Sequence, residues 1–192
     1  IKSEDGDAKL NEHLWVQKGD DSGADWMTGG TYFVVRKIHM FAEMWDNLRL
    51  IEQEQTFGRD KRYGAPLNVA APTSGKDEFK PIDFKAKNKE GELEVPADSH
   101  IAIVNPEQNK GRWMLRRGYN YTEGSDALGR LSAGLFFIAF VRDPRTNFYP
   151  ILDKMTQKDA LSEYLQHQAR ALFAIPAGIG QSDTMVGQAL FS

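Results

Sequence analysis

The residues best able to do chemistry lie between Pro96 and Tyr121, where P-A-D-S-H-I-A-I-V-N-P is followed by R-W-M-L-R-R-G-Y-N-Y. His100 opens a buried-looking apolar run, and Arg116 follows sixteen residues later among aromatic and aliphatic neighbours. A histidine is the commonest axial ligand of a haem iron, and a guanidinium in apolar surroundings is a fixed positive charge. On spacing alone such a histidine is more often a hydrogen-bonded polar residue than a ligand. The elements that position the pair, and the other motifs, must decide between the two.

The chain has 192 residues, enough for one domain with a substantial core. Hydrophobic residues make up 41% and charged residues 27%, as in an ordinary soluble protein. A formal net charge of −3, with basic clusters matched by acidic ones, argues against a nucleic-acid partner. No apolar run is long enough to span a bilayer as a helix. The absence of cysteine excludes disulfides, thiolate-bound zinc, iron–sulfur clusters and a cysteine nucleophile. Ile1 rather than Met at the start predicts a processed or cut chain, with any signal peptide upstream.

Residues 1–30 are polar and rich in Asp and Gly, and are predicted to form an extended arm lying on a domain. Gly29-Gly30 opens T-Y-F-V-V-R-K-I-H-M-F, dense in β-branched and aromatic residues, which predicts a strand over 31–41. Trp45, Leu48 and Ile51 then recur at helical spacing, predicting one amphipathic helix that ends at Gly58. Residues 57–96 carry four prolines and many charges, a long loop insertion of the kind that is more often functional than decorative. Asp98 or Ser99 is placed to cap a short helical turn carrying His100.

Two strands are predicted over 112–121 and 134–142, joined by a loop at 122–133. Alternation puts Arg116, Gly118 and Asn120 on one face of the first, and Leu135, Phe137, Ala139 and Val141 on one face of the second. A helical region over 147–167, broken near Thr156, and a last strand over 170–175 complete the order strand, helix, strand, strand, helix, strand. That order predicts an α+β, ferredoxin-like (split βαβ) antiparallel sheet with helices on one face, whose open face needs a second such domain or a large ligand.

Motifs in this register resemble those of dye-decolourising (DyP-type) haem peroxidases, in particular the bacterial branch also called deferrochelatase and associated with iron uptake. They are F-G-R-D-K-R-Y-G-A-P-L from Phe57, D-S-H-I at 98–101, M-L-R-R-G-Y-N-Y at 114–121, G-L-F-F-I-A-F-V-R-D-P-R at 134–145, D-A-L-S-E-Y at 159–164 and A-L-F-A-I-P-A-G near the end. The resemblance covers nearly the whole chain. It implies the C-terminal, haem-ligating half of a dimeric α/β barrel built from two ferredoxin-like domains.

By that resemblance the cofactor is haem b, with His100 as its proximal iron ligand, Arg116 as the distal arginine, and Leu135 and Phe137 as distal walls. Asp159 matches an acid that hydrogen-bonds the proximal histidine, although Thr156-x-x-Asp159 also reads as a helix capping box. The implied reaction is reduction of hydrogen peroxide with oxidation of dyes, phenols or other one-electron donors, ferrous iron included. The alternative is a haem-binding deferrochelatase whose peroxidase activity is incidental. The family's G-x-x-D-G motif is poorly matched: Lys2 stands at its first glycine, so its aspartate is expected on an N-terminal half, with Asp5 kept as a candidate.

The resemblance further implies an extracytoplasmic site of action, iron-uptake membrane proteins as partners, and a homo-oligomer. Arg59, Arg62 and Arg117 are candidates to bind haem propionates. Trp113, Tyr119, Tyr121 and Tyr149 are candidate radical relays, with plain packing the more common role for such residues. His13, His39 and His167 match no ligand and are expected to be solvated or hydrogen-bonded.

Overall fold

A computed structural model describes residues 6–21, 23–181 and 183–191. Its centre is an antiparallel sheet. The long strands are β1 (Thr31–Met40), β4 (Leu131–Val141) and β5 (Leu165–Ile175). Two shorter ones, β2 (Leu115–Arg116) and β3 (Tyr119–Ser125), both pair with β4. The order is β2–β4–β1–β5, with β3 also on β4. Counting β2 and β3 as one interrupted strand gives the ferredoxin-like arrangement expected from the sequence.

The first crossover runs from β1 through α2 (Ala42–Asp46), α3 (Leu50–Phe57), the long segment and α4 (His100–Val104). The second runs from β4 through α5 (Pro144–Asn147) and α6 (Tyr149–Lys158). Both cover the sheet face that carries Val34, Ala139 and Val141, which pack with Phe148 into the core. β-Branched and aromatic residues fit that half-buried pleat. The other face carries Phe33 stacked on Phe140 at 4.8 Å and beside Phe173, with no element of the described chain over them. Phe136, Phe173 and Tyr119 on that face are exposed.

Several boundaries differ from expectation, each for a local reason. The helix predicted to run to Gly58 is two, because Glu52 accepts from the Arg49 backbone N–H at 2.9 Å and starts α3 anew. Gln53 Nε2 closes the break by donating to the Trp45 carbonyl at 2.9 Å. The strand predicted over 112–121 is interrupted at Arg117-Gly118, where a Cβ on Gly118 would lie 2.9 Å from Leu135 Cδ1. The loop predicted over 122–133 shrinks to 126–130, since Asp126 caps a tight hairpin by accepting from the Leu128 and Arg130 N–H groups.

The second helical region breaks at Asp159 rather than Thr156, and β5 begins at Leu165 rather than near 170. Its first residues, Gln166-His167-Gln168, are polar because β5 is an edge strand, and a polar edge resists pairing with other chains.

The arm is not simply extended. It contains α1 (Gly6–His13) and buries Leu14, Val16 and Met27. Val16 exchanges backbone hydrogen bonds with Gly29 and Gly30, and Arg142 Nε donates to Asp20 at 2.7 Å. Residues 57–96 are irregular as expected but pinned by carboxylates. Asp60 accepts from the Arg62, Tyr63 and Ala65 N–H groups. Asp77, paired with Lys80 and accepting from Thr73 and Ser74, is held down to about 2.

Candidate functional site

His100 is the first residue of α4, which anchors itself through buried Ile101, Ala102 and Ile103. Ser99 does not cap that helix by its side chain. It is fully buried, and its hydroxyl donates to the Pro96 carbonyl at 2.6 Å. Behind α4 runs Gly58, in the left-handed region at φ +80°, where a Cβ would meet Ile101 Cγ1 at 2.6 Å and Ser99 Oγ at 2.8 Å. Gly58→Ala therefore combines backbone strain with a clash against the helix that presents His100. Its expected cost is about 1–3 kcal/mol, read as a lower midpoint in chemical denaturation.

The imidazole is fixed by a carboxylate. His100 Nδ1 donates to Asp159 Oδ2 at 2.7 Å, while Asp159 Oδ1 accepts from the Leu161 N–H at 3.0 Å. The Ala160 N–H donates to the Asp98 carbonyl at 3.0 Å, tying the two segments together beside this bond. An ionised carboxylate only accepts, so the neutral imidazole carries its proton on Nδ1 and turns the lone pair of Nε2 to the cavity. Asp159 is also the N-cap of the turn Ala160–Tyr164. Thr156 instead donates to the Asp153 carbonyl, so the alternative reading of a Thr156–Asp159 capping box is not met. Phe57 stands edge-on to His100 with ring centroids 6.2 Å apart.

Opposite the helices the sheet supplies the other wall. Arg116 pairs with Ala139 across β2 and β4, and Asn120 with Leu135 across β3 and β4, so register puts these residues and Phe137 on the helix-facing side. The cavity enclosed has a volume of about 700 Å³, and His100, Arg116, Leu135, Phe137 and Met155 all line it. Arg116 is exposed to the cavity; the neighbouring protein lowers its pKa by desolvation, and the guanidinium remains charged. No ion pair joins Arg116 to a carboxylate among the described residues.

Among the described residues, no three His, Asp or Glu side chains are grouped to hold a metal ion. A metal bound through His100 would arrive with most of its ligands supplied by its own macrocycle. A largely apolar cavity of this size, with one free imidazole nitrogen and a few convergent polar groups, suits such a flat apolar group.

The remaining candidates are scattered. Arg59 donates to the Gly64 and Glu78 carbonyls, Arg62 lies over Tyr63, and Arg117 donates to the Tyr119 hydroxyl; none of the three lines the cavity. Trp113 and Tyr121 do line it, each with a lysine ammonium over its ring, whereas Tyr119 and Tyr149 are exposed. His13 is buried and bonded to Asn147, and His167 to Arg36. His39 is partly exposed, with its buried Nδ1 having no hydrogen-bond partner among the described residues. Asp5 lies outside the described residues.

Arg36, in the middle of β1, had not been anticipated; it is buried and lines the cavity together with Ile38 and Met40. The signal was available in the alternation, since Val34, Arg36, Ile38 and Met40 share a parity.

Residues 2–180 match the family described as "Dyp-type peroxidase, C-terminal". A dye-decolorizing peroxidase of Thermobifida fusca is 39% identical over 165 residues, which are 85% of this chain and 37% of that protein. A deferrochelatase of Yersinia pestis is 33% identical over 183 residues, 94% of this chain and 40% of that protein. The chain thus spans about two fifths of the length of these curated relatives. Among solved structures, an oxyferrous complex of DtpA from Streptomyces lividans aligns with a TM-score of 0.87 at 36% identity, over 97% of this chain and 48% of that one. A DyP-type peroxidase from Streptomyces coelicolor gives 0.87 at 37% identity, over 97% and 48%.

Proposed function

The chain belongs to the DyP-type peroxidase family, as its C-terminal domain, and from that premise we propose that it is the haem-ligating part of an enzyme that reduces hydrogen peroxide at the expense of one-electron donors. The observation that carries the reading is the Asp159–His100 pair at 2.7 Å, aimed into the apolar cavity with Arg116 across it. Haem b, held through His100 Nε2, would supply the redox chemistry, splitting the peroxide O–O bond and taking electrons from the donor.

The chain's own residues set the conditions for that chemistry. Asp159 fixes the tautomer and orientation of His100 and makes the imidazole a stronger electron donor. Arg116 holds a positive charge where negative charge grows on the departing peroxide oxygen, and needs no reorganisation to do so. Leu135 and Phe137 keep water from that side, which strengthens the charge interaction. The proton-transferring carboxylate is assigned to the part of the longer relatives that this chain does not span, which would bring it to the Arg116 side of the cavity, while the open aromatic face of the sheet is where a second ferredoxin-like domain would complete the barrel.

Asp159→Asn tests the arrangement. A single amide oxygen can serve either His100 Nδ1–H or the Leu161 N–H, and the NH2 group then faces the other donor. Haem affinity measured by absorption titration is expected to fall by roughly 10- to 100-fold, the usual loss when a metal ligand's hydrogen-bond partner is altered. Unchanged affinity would remove Asp159 from the site.

Relatives named deferrochelatase, at 33% identity, favour a second reading in which the same haem site serves iron acquisition. Extracytoplasmic location, iron-uptake membrane partners and self-association belong to that reading. Iron release that persists in Arg116→Ala while peroxide turnover is lost supports it; loss of both supports the peroxidase alone.

A further inference from the structure

We propose that Arg36, with Arg170 beside it, anchors a carboxylate of the ligand that fills the cavity, namely a propionate of haem. The proposal rests on the haem reading above. Arg36 lines the cavity with only 7% of its surface exposed. Its hydrogen-bond partner is His167 Nδ1 at 2.7 Å. A guanidinium only donates, so that nitrogen accepts and the ring is neutral, offering no charge in return. Burial and the Arg36 cation together depress the His167 pKa, which keeps the ring in that form.

Across β1 and β5, Arg36 pairs directly with Arg170. Like charges placed opposite each other in a sheet repel. Desolvation and Arg170 together push Arg36 down to about 10. Other arginines of the chain meet carboxylates: Arg142 meets Asp20, Arg145 meets Asp143, and Arg130 meets Asp126. Arg36 and Arg170 form no ion pair among the described residues.

A buried charge without a partner is costly, and the cost is removed when a bound anion completes the site. Haem carries two carboxylates on one edge of an otherwise apolar disc. Arg36 lies on β1 beside the edge strand β5 and opposite Arg170, so the anchored carboxylate would lie toward β5. A guanidinium can receive it through two parallel N–H···O bonds.

The test compares two probes on the protein, iron protoporphyrin IX and its dimethyl ester, which keeps the macrocycle and iron but carries no carboxylate. Wild type is expected to prefer the diacid by about tenfold or more, as charge-assisted hydrogen bonds would give. Arg36→Met should abolish most of that preference while ester binding persists, which also reports that the cavity is intact. Arg36→Lys should restore part of it. Arg170→Gln, at an exposed edge-strand position, should reduce it by about threefold and guards against an Arg36 variant that does not fold. A preference unchanged in both Arg36→Met and Arg170→Gln overturns the anchor, as does a wild type that binds both porphyrins equally. A wild type that binds neither overturns the haem reading itself, and the anchor with it.

Discussion

His100→Ala protein, purified in the presence of haem, is expected to lack the intense Soret absorption of the wild type. The expected loss of affinity exceeds the roughly 100-fold ceiling typical of disturbing a ligand's hydrogen-bond partner, because here the ligand itself is removed. No other imidazole can replace it: His13 is bonded to Asn147 and His167 to Arg36, and neither they nor His39 line the cavity. Once His100 is gone, Asp159→Asn should cost little further haem affinity, since the two residues act as one unit. Comparable losses from Asp159→Asn in both backgrounds would mean that the carboxylate acts on stability rather than on the imidazole.

Arg116→Ala separates binding from chemistry. Haem loading should stay near the wild-type level, because His100 and the apolar walls remain. Peroxide-dependent dye oxidation in the complete enzyme is expected to fall by about 10²–10³-fold, the usual effect of removing one preorganised charge donor from a developing anion. The loss should appear in kcat rather than in the KM for the dye, since the dye does not need to reach this side of the cavity. Arg116→Lys should recover only part of the rate, because an ammonium lacks the planar fork. Full activity in Arg116→Ala would place the peroxide elsewhere.

The shared faces of this site were legible in the chain because its strand residues obey simple periodicities, while the roles of His100, Arg116 and Asp159 were legible only through the family resemblance. Alternation alone put Arg116 and Asn120 on one face and Leu135, Phe137 and Ala139 on another, and the cross-strand register makes these a single wall. The order of elements pointed to the split βαβ sheet, since turns and apolar runs mark crossovers clearly.

What escaped notice depended on side chains acting over short distances. The break between α2 and α3 is made by Glu52 reaching back to Arg49, and an apolar period does not register that contact. The sequence left Asp159 open between partner of His100 and acidic residue of a capping box begun by Thr156, whereas it is itself the N-cap of the turn after it and holds His100 with its second oxygen. Arg36 was passed over because a charge within a strand is usually solvated. Only the packing of Phe148 against Val34 of β1, with the Arg36 guanidinium beside the Phe148 ring, reveals that this one is not. The arginines singled out instead, Arg59, Arg62 and Arg117, sit in motifs but are directed to loop carbonyls and surface aromatic rings.

The central claim is that His100, through Nε2, is the protein ligand of the haem iron. The most direct test is electron paramagnetic resonance of the haem-loaded protein with ¹⁵N-labelled histidine, in wild type and in His100→Gly supplied with unlabelled imidazole. Wild type should show coupling of the iron to a labelled nitrogen. In the variant that coupling should vanish and be replaced by that of the added imidazole. A labelled-histidine coupling that survives in His100→Gly would assign the iron to His13, His39 or His167 and contradict the account.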